Sequence, residues 1–251
     1  MTAPASAATS VALIDLTDEE LAALAGTDGS LVVSPYLDGL EEAARQQAVV
    51  SAFRSLVAHG LVQGPTAEAA AAARSAGGEV ALEVRMSEPL AQALALRRAA
   101  GVVVCGQRTV ADSTSWRYLH LVDDVVLDEV VELTGLHRFG LLRPADLPDV
   151  LLDWVAPEGW DGADGPSTQL GVDGRLPEPL LEQLGTATVV ADLVVRREGD
   201  GGGGMLLGTF AGPDLLVLST TRAAAGSVVT LRPLSRRTLR DVIAEQLEGA
   251  R

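Results

Sequence analysis

The spacing of apolar and polar positions changes several times along the chain, and each change predicts an element. Leu16-Thr17-Asp18-Glu19-Glu20-Leu21 reads as a helix start. Thr17 is the N-cap, Glu20 three residues on closes a capping box, and Asp18 and Glu19 suit the positive end of the helix dipole. Leu21 and Leu24 give this helix a buried stripe, and Gly26 ends it. A second helix is predicted from about Gly39 to His59, where Ala43, Ala44, Ala48, Phe53, Leu56 and Val57 recur roughly at helical spacing. Gly60 is its stop, with Leu61-Val62 folding back as the apolar contact. Pro65 to Ala76 is alanine-rich and predicts a short helix ended by Gly77-Gly78.

From Glu79 the period falls to two. Val80, Leu82 and Val84 alternate with Ala81, Glu83 and Arg85, a strand pattern. Ser87 to Ala99 predicts a helix, with Pro89 tolerated in its first turn. Strands are predicted at Gly101–Thr109, Trp116–Val122, Val125–Leu133 and Leu136–Leu142, with a turn at Asp123-Asp124. A helix follows from Ala145 to about Val155, then a Gly-, Asp- and Pro-rich loop from Ala156 to Arg175. Pro177–Leu184 reads as a short helix. Strands are predicted at Thr188–Arg196, Met205–Phe210, Leu215–Thr220 and Val228–Leu231, and a last helix from Ser235 to about Leu247.

This order contains an echo. Leu142-Arg143-Pro144 precedes a helix containing Asp149-Val150-Leu151, and Leu231-Arg232-Pro233 precedes one containing Asp241-Val242-Ile243. Each follows a block of strands, and each block follows a short helix. The pattern predicts an α+β fold: a pseudo-repeat with halves near residues 66–155 and 178–247, the strand blocks joined in one antiparallel sheet around a pseudo-two-fold axis. Residues 1–10 read as a disordered tail and 11–251 as a single α+β domain.

Composition narrows the function classes. At 251 residues, 47% apolar and 21% charged, the chain has enough apolar material for a substantial core. No apolar run reaches the roughly 18 residues of a membrane-spanning helix, and the N-terminus lacks the features of a secretory signal. Cys105 is the single cysteine, so no intrachain disulfide forms and a reducing, cytoplasmic setting is expected. A net charge of −15 disfavours nucleic acid and anionic lipid, although Arg232, Arg236, Arg237 and Arg240 cluster near the C-terminus. All 19 Lys-plus-Arg residues are arginine. P-loop, kinase-type and Schiff-base lysines are therefore excluded.

Familiar catalytic motifs are missing as well. Gly199-x-Gly201-x-x-Gly204 has dinucleotide spacing, but a strand-like Met205-Leu206-Leu207 follows where a helix is required, so a hairpin loop is the reading. No Gly-x-Ser-x-Gly elbow and no His-Glu-x-x-His pair occurs. His59 falls at a helix C-terminus. His120 and His137 could face each other across strands and form a metal site with Cys105, but no ligand spacing supports it. Asp123, Asp124, Asp128, Glu129 and Glu132 are dense enough to raise the question of an acid pair, yet read as the solvated edge of a sheet. Cys105 reads as a small buried hydrophobe, Trp116 and Trp154 suit a core, and Trp160 in its Gly/Asp loop suits a contact surface. No catalytic, cofactor-binding or metal-binding residue is assigned.

Three segments resemble the EspG family, cytosolic chaperones of ESX (type VII) secretion in actinobacteria. Leu16–Leu21 looks like the family's first helix start. Leu56-Val57-Ala58-His59-Gly60-Leu61-Val62 is similar to its helix ending in Gly-Leu-Val. Val229-Thr230-Leu231-Arg232-Pro233 and the helix after it look like its last strand and C-terminal helix. The resemblance implies a central antiparallel sheet, two helical bundles and quasi-two-fold symmetry. It also implies that the protein binds helical secreted substrates of PE/PPE type, keeping them soluble for export without cofactor or catalysis. By placement, the contact surface would be the second strand block with the 145–185 bundle. Trp154, Trp160, Leu215, Leu216, Val217 and Leu218 are the expected partner-binding residues, and a homodimer is permitted. The long Trp116–Leu142 strand region departs from the family pattern. Two alternatives stay open: a winged-helix regulator on residues 16–86, and an enzyme with a noncanonical site.

Overall fold

The computed structural model describes residues 10–25, 31–64, 68, 75, 84–170, 176–197, 205–222 and 228–249. Most of the alanine-rich helix expected at Pro65–Ala76, most of the strand expected at Val80–Arg85 and the Gly199–Gly204 loop lie outside them.

The strands are β1 (Val11–Thr17), β2 (Val62–Gln63), β3 (Arg85–Met86), β4 (Val102–Val110), β5 (Ser113–Val122), β6 (Val125–Glu132) and β7 (Leu136–Leu142). They continue as β8 (Thr168–Leu170), β9 (Val189–Arg197), β10 (Met205–Gly212), β11 (Leu215–Arg222) and β12 (Val229–Pro233). All but β2 and β3 form one ten-stranded sheet in the order β1-β7-β6-β5-β4-β9-β10-β11-β12-β8. Every pairing among the described strands of this sheet is antiparallel, which makes the fold α+β. The two strand blocks meet where β4 pairs β9, from Val102 opposite Arg197 to Val110 opposite Val189. From that joint β4 to β7 run outward in chain order on one side and β9 to β12 on the other, and β1 and β8 are added out of order at the two edges.

Local sequence explains the helix ends. Helix α1 (Asp18–Ala25) starts with the expected capping box. The Thr17 N–H donates to Glu20 Oε2 at 3.1 Å and the Glu20 N–H to Thr17 Oγ1 at 3.4 Å. After the single turn α2 (Pro35–Asp38), α3 (Glu42–Ala58) ends in a Schellman turn. There Gly60 takes φ +70°, its N–H donates to the Val57 carbonyl at 3.1 Å, and the Leu61 N–H reaches the Leu56 carbonyl at 2.9 Å. The remaining helices are α4 (Glu88–Ala99), α5 (Leu147–Val155), α6 (Glu178–Gly185) and α7 (Arg236–Glu248). Ser235 caps α7 by accepting from the Thr238 N–H at 3.2 Å.

Two strands of the ten-stranded sheet were not anticipated. Residues 11–16 lack alternation, and β1 carries a register break between Ala12 and Ile14. Strand β8, three residues inside the expected loop, is too short to leave a period.

Helices α5 and α7 pack on one face of the sheet, where Val104, Leu119, Leu193, Leu207, Leu216 and Leu218 meet Leu151, Trp154, Leu239 and Ile243. Gly106 permits this contact: a Cβ there would lie 2.7 Å from the Trp154 ring. Arg240 grips Asp149 at 2.5 and 3.0 Å, and Arg236 pairs with Asp153, tying α7 to α5. On the other face, α1, α3 and α4 contribute Leu21, Leu56 and Leu90 to a core with Leu16, Leu127 and Phe139.

Candidate functional site

Alternation in β9 divides its residues between the faces. Val189, Ala191 and Leu193 enter the α5–α7 core, so Val190, Asp192 and Val194 point the other way. Register carries this second face across neighbouring strands. One row reads Thr109, Val190, Phe210, Val217, Pro233, and another reads Cys105, Val194, Leu206, Thr221. Between them lie Gln107, Asp192, Gly208 and Ser219. Among the described residues, the helices on this side belong to the core over β1, β6 and β7, and Val190 stays 37% exposed. Phe210, Val194, Leu206 and Leu215 are half-buried.

Asp192 sits among these apolar rows. Among the described residues it has no ion-pair partner, and its carboxylate leans across Gly208, where a Cβ would lie 3.2 Å from Asp192 Oδ1. Although much of its surface reaches solvent, the neighbouring sheet desolvates the carboxyl enough to push it above the usual carboxylate range. Helix α6 leads into this end of β9 and buries none of its residues; its Leu181 is 55% exposed.

The expected contact residues separate into two groups. Trp154 is buried against Gly106, and Leu216 and Leu218 point into the α5–α7 core. Val217 faces the opposite way but is buried between Phe210 and Pro233 in its row. These four side chains are internal, a correction to their expected place on a contact surface. Trp160, packed partly on the α5–α7 core, and Leu215 reach the surface. Val190 and Phe210 do not stand out in the sequence because both adjoin apolar residues that serve the opposite face; Asp192 is a charge that marks the outward register of β9.

The carboxylates of β6 also depart from expectation. Asp123 and Asp124 do occupy an exposed turn, and Glu132 meets Arg138 at the surface. Asp128 and Glu129, however, are buried, because β6 lies inside the sheet between β5 and β7. Arg117 holds Asp128 with two bonds of 2.7 Å. Glu129 is bonded to His137 Nδ1 at 2.7 Å, His120 Nε2 at 2.8 Å and Arg97 Nε at 3.1 Å. His137 Nε2 lies 2.6 Å from Asp18 Oδ1, and Asp18 Oδ2 accepts from the Tyr36 and Leu37 N–H groups at 2.7 and 3.2 Å. Both nitrogens of His137 thus face carboxylates, so both carry hydrogen and the ring is an imidazolium. Burial alone would raise the Glu129 carboxyl, but hydrogen bonds from His120 and His137 and the Arg97 charge hold it at about 2. Burial likewise opposes the charge on His137, and Asp18 with Glu129 overcomes it and raises its pKa. The network ties α1, α2 and α4 to β5, β6 and β7.

Other candidates disperse. Cys105 pairs with Tyr118 rather than approaching His137, and burial pushes its thiol up. Among the described residues no three His, Cys, Asp or Glu side chains are placed to hold a metal ion. In the C-terminal arginine cluster, Arg236 and Arg240 are occupied by Asp153 and Asp149.

No protein-family model matches the chain, and no curated protein matches it in sequence. Among solved structures, it is similar to the Mycobacterium tuberculosis type VII secretion system chaperone EspG5, seen in complex with a PE25–PPE41 dimer. The TM-score is 0.52 at 11% identity, covering 79% of this chain and 94% of that one. The two share a fold.

Proposed function

We propose that this protein is a cytosolic chaperone or adaptor that binds helical substrates of type VII secretion, of PE/PPE type, and keeps them soluble for export. The observation that carries the reading is the open face of β9 and β10, on a fold shared with a chaperone of that system. An apolar helix tip in water invites association, and an open sheet row of Val190 and Phe210 offers it an apolar seat. Asp192, unpaired and partly desolvated, suits a cation or the positive end of a helix in the partner. Leu215, on the same face as Val217, and the exposed apolar side of α6 extend the surface.

The winged-helix alternative fits less well. Its recognition helix would be α3, where Arg45 bonds the Leu37 and Leu40 carbonyls at 3.2 and 3.4 Å. Groove reading needs cations directed outward. Affinity capture from native lysate tests the proposal. Wild type should retain a helical secreted protein in stoichiometric amount, and Val190→Glu should lose it while keeping its melting temperature. Equal retention by both proteins would reject this surface.

A further inference from the structure

A cavity lies apart from the open face, between α1, α4 and the β4–β5 strands, with a volume of about 550 Å³. That volume is within the range of small-molecule pockets. Leu24, Val32, Met86, Leu94 and Val103 make most of its wall apolar. Among the described residues its polar lining is Arg97, Arg98 and His120, with no carboxylate. In a chain of net charge −15, a lining with two arginines, a histidine and no acid selects for a negative group.

His120 gives the cavity its chemistry. It is 3% exposed, and its Nε2 is committed to Glu129 at 2.8 Å. Its Nδ1 is buried and has no hydrogen-bond partner among the described residues. Such an atom costs stability unless something occupies it. Glu129 as acceptor fixes the proton on Nε2, so Nδ1 presents a lone pair toward a donor. Asp18, Glu129, His137 and Arg97 already balance one another in charge, which leaves His120 as the member free to respond to a ligand.

We propose that this cavity binds a small amphipathic carboxylic acid, its acid group hydrogen-bonded to His120 Nδ1 and its aliphatic body along Leu24, Met86 and Leu94. The anion binds with uptake of one proton from solvent, which supplies the hydrogen that Nδ1 lacks. Neutral acid on neutral imidazole and carboxylate on imidazolium have the same composition, so the bond forms with either placement of that proton. The exposed Arg98 at the cavity supplies attraction for the incoming anion. This site is independent of the partner surface, since Val190 and Phe210 do not line it.

Titration calorimetry of the full chain with decanoate, and with 1-decanol as a matched neutral probe, tests the assignment. One decanoate should bind per chain, with 1-decanol on the order of tenfold weaker, because its hydroxyl still donates to Nδ1 but in a neutral rather than a charge-assisted bond. His120→Phe should weaken decanoate binding by a similar factor. Because His120 belongs to a buried network, Ala95→Trp provides a second variant that fills the cavity from the exposed side of α4 without touching that network. It should abolish decanoate binding at an unchanged melting temperature. In nitrogen-15 histidine spectra, decanoate should move the His120 Nδ1 resonance and leave His59 in place. Equal binding of decanoate and 1-decanol, undiminished binding in Ala95→Trp, or a stationary Nδ1 signal at saturation would overturn the proposal. So would absence of decanoate binding together with loss of partner capture in Ala95→Trp, which would assign the cavity to the partner protein.

Discussion

Replacing Glu129 with glutamine keeps the shape of the side chain and removes the charge at the centre of the buried network. His137 then loses one of its two ionised partners, and Arg97 loses a carboxylate that is fully buried. A carboxyl held at about 2 against an ordinary 4.5 corresponds to on the order of 3 kcal/mol of stability near neutral pH. Removing one partner from a buried pair costs about 3–5 kcal/mol by a separate route, so the two estimates agree. For a chain of this size that is a fall in melting temperature of roughly 6–20 °C. The pH dependence follows from the directions of shift. The folded value of Glu129 is depressed, so its contribution is complete above about 4.5 and is lost as pH falls toward about 2. The folded value of His137 is raised, so its contribution is complete below the ordinary 6.5 and is lost as pH rises through the folded value. Wild-type stability should therefore be greatest between these limits and decline on both sides. Glu129→Gln should lower the maximum, flatten the acid limb and bring the alkaline decline to lower pH. Urea unfolding of both proteins across the pH range measures this. A Glu129→Gln protein within about 1 kcal/mol of wild type near pH 6 would refute the network as described.

Gly106→Ala should destabilise by about 1–3 kcal/mol in chemical unfolding, because the new methyl meets the Trp154 ring; Trp154 fluorescence should shift with it. Gly60→Ala should cost about 1–2 kcal/mol through its positive φ alone, since nothing lies within 4 Å of the new Cβ. Asp192→Asn should leave the melting temperature within about 1 °C and weaken partner capture, the separation expected of a surface contact.

The order of elements was legible because most of them announce their own ends. Thr17 and Glu20, Gly60, Pro89 and Ser235 each fix a boundary by local chemistry, and each acts in the structure as that chemistry requires. The single antiparallel sheet was expected from the two blocks of strands, and the blocks join in it through β4 and β9. What stayed hidden depends on which strand lies beside which. Asp128 and Glu129 look like an edge until β6 is seen between β5 and β7, and Asp18 looks like a first-turn acid until His137 arrives from far along the chain. Leu215 to Leu218 forms one apolar run, and only its register shows that alternate residues serve opposite faces. The outward row at Val190 and Phe210 was hidden for the same reason.

Hydrogen exchange by mass spectrometry on the protein with and without its captured partner tests the central claim most directly. The account predicts new protection in β9, β10 and the start of β11, with β6 and β7 unchanged. Protection confined to α1–α4, or to the exposed sides of α5 and α7 with β9 and β10 unaffected, would contradict it.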